Sequence, residues 1–150
     1  MQTTMTKNIA LAGHAGSGKT TLCEALLYQS GVTERIGKIT EGNTVSDYTA
    51  EEIKRKSSVY TTLSTIRTDA LQVNLLDTPG MFDFAGEMTE GIYGSDCTLI
   101  TVSGKSGVRV GTQKAYDCAV ALGKPRMFVV TKLDDDNANF YNVLTDLKLS

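Results

Sequence analysis

The chain has 150 residues, 41% of them apolar, and carries 15 Lys and Arg against 17 Asp and Glu for a formal net charge of -2. That length supports one domain with its own core, and so small a charge gives no general electrostatic drive toward DNA or an anionic membrane, so any partner must be recognised locally. Three cysteines, Cys23, Cys97 and Cys118, are odd in number and set in apolar surroundings, which fits reduced core residues of a cytoplasmic protein rather than a disulfide frame or metal site.

In chain order, the N-terminal MQTTMTK reads without a targeting core, and no apolar run approaches a membrane span. Ile9 to Ala12 reads as a short apolar strand and Lys19 to Gln29 as a helix with Leu22, Cys23, Ala25 and Leu26 facing the core, ended by Gly31 as a left-handed cap. Between them, Gly13, Gly18, Lys19 and Thr20 fit the phosphate-loop template G-x-x-x-x-G-K-[ST], with His14, Ala15, Gly16 and Ser17 filling the loop and Thr21 following it. Glycines let backbone N–H groups converge on phosphate oxygens, and the helix N-terminus adds its positive end. Lys19 is then the ammonium for the β- and γ-phosphates, and the Thr20 hydroxyl a ligand for magnesium.

From Val32 to Ser58 the apolar pattern dissolves, and the stretch is expected to be a mobile functional loop, poorly ordered without a nucleotide. Val59 to Arg67 and Leu71 to Leu76 read as an antiparallel hairpin joined by Thr68, Asp69 and Ala70. The second strand runs into Asp77-Thr78-Pro79-Gly80, where a carboxylate at a strand's carboxyl end could hold magnesium through water and Gly80 could offer its N–H to a γ-phosphate. Alone, such a motif reads equally as an ordinary turn; the phosphate loop upstream decides for chemistry.

Ala85 to Tyr93 reads as a helix and Cys97 to Val102 as a strand. Ser103-Gly104-Lys105-Ser106-Gly107 imitates a second phosphate loop, but the template's first glycine would fall at Leu99, inside a strand, so the imitation is set aside. Thr112 to Leu122 is a helix with Ala115, Cys118, Ala119 and Leu122 on one face, Arg126 to Thr131 a buried strand, and Ala138 to Leu147 a last helix. Thr131-Lys132-Leu133-Asp134 lies at a strand end. Asp134 can accept from both N1–H and the N2 amine of guanine, and the Lys132 stem can cover the base; Asp135 and Asp136 read as turn or cap residues.

GHAGSGKTTL, DTPGMFDF and TKLD, in that order, resemble the first, third and fourth GTP-binding motifs of the translational GTPases, with elongation factor G and elongation factor G-like proteins the nearest in pattern. The resemblance covers Asn8 to Ser150. It implies an α/β P-loop GTPase domain, a mixed, mostly parallel sheet with helices on both faces, with GTP, GDP and magnesium as ligands and the ribosome as partner. It also implies that residues 1–150 are the N-terminal portion of a larger GTPase domain, cut before its last guanine-contacting loop. The family's second motif resembles R-G-I-T where this chain has Arg55-Lys56-Ser57-Ser58, which makes Ser58 a magnesium candidate beside Thr20 and Asp77. Relatives carry Asp at the position of Gly16, Asn at Thr131, and a water-positioning His at Met81, so Lys19, Gly80 and position 81 form the implied catalytic set. His14, the only histidine, sits where the family often has His, with loop packing and catalysis both open as roles. Three readings remain: a GTP-hydrolysing translation factor, a GTP-binding switch with impaired hydrolysis, and a phosphate-loop kinase or ATPase.

Overall fold

A computed structural model describes residues 5–149. Its five-stranded sheet has the order β2-β3-β1-β4-β5, where β1 is Met5–Gly13, β2 Thr62–Arg67, β3 Leu71–Asp77, β4 Cys97–Ser103 and β5 Arg126–Thr131. Only β2 runs antiparallel; β1 pairs parallel to β3 and β4, and β4 to β5. The carboxyl ends of β1, β3, β4 and β5 therefore open on one edge, where the loops after Gly13, Asp77 and Thr131 emerge side by side.

Alternation along the strands builds two apolar layers. Ala10, Ala12 and Ile100 face Met88 and Ile92 of α3 (Ala85–Tyr93) and Ala115 and Ala119 of α4 (Val110–Ala121). Leu11 and Leu75 face Cys23 and Leu27 of α1 (Lys19–Gln29) on the opposite side. Helix α1 buries Cys23 and Leu27 completely, while Leu22 and Leu26 pack at the rim, so of the expected face Leu22, Cys23, Ala25 and Leu26 only Cys23 is fully buried and the stripe is shifted one residue toward Leu27. Gly31 and Gly123 take the left-handed conformations expected after α1 and α4. Helix α5 (Phe140–Leu149) buries Val143.

One expectation is corrected. Arg126 to Thr131 is not a central buried strand: β5 lies at the edge of the described sheet and Met127 is 63% exposed. An apolar run signals burial only if something covers its second face, and here no described strand pairs with its outer side. Within the stretch 32–58 lie a 3-10 turn (Ile39–Glu41) and a helix, α2 (Ala50–Arg55), neither of which its apolar pattern signals. Helix α2 opens with a capping box in which the Thr49 hydroxyl accepts from Glu52 N–H and the Glu52 carboxylate accepts from Thr49 N–H.

Candidate functional site

The phosphate loop leaves β1 at Gly13, whose φ of 136° and close approach to Thr101 O leave no room for a side chain. It re-enters α1 through Gly18, itself left-handed at φ 91°. Between them Ser17 is tied down by a 2.6 Å contact between its hydroxyl and that of Thr101, while Ala15, Gly16 and, beyond the loop, Thr21 face solvent. Lys19 is buried, its ammonium donating to Gly13 O at 3.1 Å and His14 O at 3.0 Å. Desolvation lowers its pKa to about 8, against the pull of Asp77 and Asp47, which favour the charge.

Asp77, at the end of β3, is 1% exposed and neither carboxylate oxygen has a hydrogen-bond partner. Burial pushes its pKa up to about 6, opposed by the hydroxyl of Thr20, the Lys19 ammonium and the hydroxyl of Ser46, all near but outside bonding geometry. Asp47 repeats the pattern: it is buried, both oxygens are unpartnered, and desolvation raises its pKa. The Thr20 and Ser58 hydroxyls lie 3.3 Å apart. Gly80 packs onto the phosphate loop so closely that a Cβ there would sit 2.7 Å from Ala15 N and displace the Lys19 ammonium.

Asp77 lies beneath one cleft enclosing about 400 Å³ of space open to solvent, which has Gly16, Gly18, Lys19, Thr20 and Gly80 on one wall and Ile39, Asp47, Lys56, Ser57 and Ser58 on the other. A second cleft of about 380 Å³ between α4, β5 and α5 is lined by Val108, Thr112, Gln113, Tyr116, Phe128 and Leu147. It has no charged side chain, so it offers nothing for phosphate. Unpartnered buried carboxylates beside two hydroxyls are a hard oxygen donor set, and they fit magnesium, which keeps several waters and completes its octahedron with substrate phosphates. Thr20, Ser58 and Asp77, the magnesium candidates of the sequence, lie near one another, with Asp47 beside them.

The base motif is attached to the phosphate loop. The Thr131 hydroxyl donates to Ser17 O at 2.6 Å, so a short hydroxyl side chain spans from β5 to the loop. Lys132 follows in the left-handed region at φ 55°, and Asp134 is exposed in the turn beyond it. The Gly-Lys-Ser imitation is a turn that supports this motif: Gly104 N–H donates to Thr131 O at 2.7 Å and Lys105 pairs with Asp135 at 2.9 Å.

Position 81 and the His14 ring lie beside the phosphate loop and do not line the phosphate cleft. Met81 lines a small adjoining cleft with Phe82, Ala85, Met88 and Lys114, which meets the phosphate loop at Gly13 and shares Gly80 with the phosphate cleft. His14 packs against Gly111 and lies 5.9 Å, ring to ring, from Phe82, with Nδ1 buried and unpartnered. Burial, Lys19 and Arg109 all lower its pKa, and the ring packs between the phosphate loop and α4.

Sequence reasoning missed Asp47 and the two acids that fold 32–58. Glu24 of α1 is 1% exposed and accepts from Gly37 N–H at 2.8 Å and Val45 N–H at 2.5 Å. Glu52 accepts from Val59 N–H at 3.1 Å and Tyr60 N–H at 3.2 Å; desolvation would raise its pKa, but the bonds from Thr49, Val59 and Tyr60 outweigh it and hold the carboxyl below its usual value. The Thr-x-x-Glu spacing at Thr49 and Glu52 was the available signal for α2.

A family model described as the elongation factor Tu GTP binding domain matches residues 4–150. The elongation factor G-like protein of Mycobacterium tuberculosis is 41% identical over 139 residues, which is 93% of this chain and 20% of that protein. The mitochondrial ribosome-releasing factor 2 of Drosophila grimshawi is 35% identical over 141 residues, 94% of this chain and 19% of that protein. A crystal structure from Thermus thermophilus superposes with a TM-score of 0.92 at 46% identity, covering 97% of this chain and 22% of the other. The chain thus spans about a fifth of the length of these relatives. Among the described residues, no helix is long and apolar enough to cross a membrane.

Proposed function

Because the chain belongs to the elongation factor Tu GTP-binding domain family, we propose that it binds GTP and GDP in the cleft between the phosphate loop and residues 39–58 and hydrolyses GTP within a translation factor of the elongation factor G kind. The observation that carries this is the meeting of Lys19 and Thr20, Asp77 to Gly80, and Thr131 to Asp134 on one sheet edge.

Each part has a role for which its chemistry is suited. Backbone N–H groups from Gly13 to Lys19, with the N-terminus of α1, hold the β-phosphate, and Lys19 turns its ammonium from the Gly13 and His14 carbonyls to the phosphates. Gly80 presents its N–H to the terminal phosphate. Asp134 accepts from guanine N1–H and N2–H, which adenine cannot reciprocate, and Lys132 lies over the base. Magnesium, held by Thr20 and Ser58 with Asp77 and Asp47 behind, would neutralise charge on the β- and γ-oxygens. The ribosome is the proposed partner, in line with the ribosome-releasing relatives, and the cytoplasm the proposed compartment.

One observation favours a second reading, a guanine-nucleotide switch that hydrolyses slowly: Met81 follows Gly80 beside the phosphate loop and has only a thioether sulfur, a weak acceptor, where orienting a water needs a strong donor or acceptor. Competition between GTP and ATP, followed by single-turnover hydrolysis with and without ribosomes, tests both. ATP preferred to GTP would overturn the guanine assignment and restore a kinase or ATPase. Hydrolysis unchanged by ribosomes would overturn the translation-factor reading.

A further inference from the structure

Among the described residues, two non-glycines hold the left-handed conformation, Lys56 at φ 54° and Lys132 at φ 55°. Glycine takes this conformation without steric cost, and a residue with a Cβ does not. Lys132 belongs to the base motif. Lys56 ends α2, its N–H closing the helix on Glu52 O, a duty that glycine performs better. The second observation is its place: Lys56 is an exposed residue that lines the phosphate cleft together with Lys19 and Gly80. The third is its charge. Lys38, Arg55 and Lys105 pair with Glu41, Glu51 and Asp135, whereas no carboxylate among the described residues pairs with Lys56.

Strained non-glycine backbone at a ligand-facing position is retained where the side chain has work that glycine cannot do. Lys19 and the phosphate loop grip the phosphates from below, and Lys19 already shares the charge of Asp77 and Asp47. Lys56 to Ser58 line the cleft opposite Lys19 and Gly80, the side left to meet a nucleotide whose phosphates the phosphate loop holds. A cation on a flexible stem, leaving from the end of α2, can close on that extension and carry residues 39–58 with it.

We propose that Lys56 reads the terminal phosphate of the bound nucleotide, so that it contributes to binding of the triphosphate and not of the diphosphate. This rests on the nucleotide reading above and adds a charge contact in the second wall of the cleft.

The test measures affinities of the full natural chain, with magnesium, for GDP and for a non-hydrolysable GTP analogue, in wild type and in Lys56→Gly, Lys56→Ala and Lys56→Arg. Analogue affinity should fall about tenfold in the Gly and Ala variants, the size of one charged hydrogen bond, while GDP affinity stays within about twofold. Arg should retain the preference. Because glycine suits the backbone here, Lys56→Gly should melt no lower than wild type, which separates a lost contact from a lost fold. Equal analogue affinity in all variants, or equal losses for both nucleotides, would overturn the proposal. A Lys19→Ala variant that binds GDP as well as wild type would instead remove the nucleotide reading, and this inference with it.

Discussion

Replacing Asp77 with Asn should stabilise the protein in the absence of nucleotide and magnesium, although it removes a residue from the heart of the site. Asp77 is fully enclosed, with no hydrogen bond to either oxygen, and its pKa rises from 3.8 to about 6. That difference corresponds to about 3 kcal/mol of cost to the ionised folded state. Part of it is returned, because Asp77 also favours the charge on Lys19, so a net gain of about 1–3 kcal/mol is expected. For a domain of this size each kcal/mol moves the midpoint by about 2–4 °C, so the variant should melt about 2–10 °C higher near pH 7.5. The folded pKa lies above the unfolded one, so the cost is full above about pH 6, shrinks as the solution is acidified, and vanishes below about pH 4, where both states are protonated. Melting curves of both proteins across that range test the argument. An Asn variant that melts lower at pH 7.5, or whose advantage survives acidification, would refute the account of Asp77 as an uncompensated buried charge. The same variant should lose the magnesium dependence of its GDP affinity.

Met81→His should raise the single-turnover rate of GTP hydrolysis by about 10²- to 10⁴-fold if a side chain at that position orients the water; an unchanged rate beside a large loss in Lys19→Ala would assign catalysis to phosphate-loop electrostatics. Thr131→Val keeps the shape but leaves Ser17 O without its donor, so it should cost about 1 kcal/mol of stability and several-fold in GDP affinity, read by calorimetry; no change in either would mean the link is incidental. Glu52→Ala strips the partners from Val59 and Tyr60 N–H and should cost about 1–3 kcal/mol, with hydrogen exchange accelerated between residues 49 and 60. In wild type, exchange across residues 47–58 should slow when a GTP analogue binds; equal protection in both states would mean that this segment is no switch.

What was legible in the sequence follows from which forces leave a local mark. Helix α1 begins where the glycine loop ends and stops before Gly31, so Lys19–Gln29 could be read to the residue, and Ala85–Tyr93 likewise. Its buried face was read one residue out, because the polar Glu24 lies on that face among Cys23 and Leu27. The three nucleotide motifs were legible because phosphate and base chemistry demands fixed residue types at strand ends. Residues 32–58 were not, since what folds them is a pair of buried carboxylates. Glu24 accepts backbone N–H groups from Gly37 and Val45, well along the chain, and Glu52 from Val59 and Tyr60 just beyond α2, and apolar periodicity does not register such bonds.

The same blindness hides the site's energetics. Lys19, Asp47 and Asp77 are all buried, and desolvation moves each one toward its neutral form. A cluster that destabilises its own charges in isolation is one whose charges are satisfied by something that brings opposite charge and oxygen ligands together, as a magnesium nucleotide does. Nucleotide affinity and the instability of the bare site are then two sides of one free energy, which is why a variant that raises the melting temperature here is expected to weaken binding.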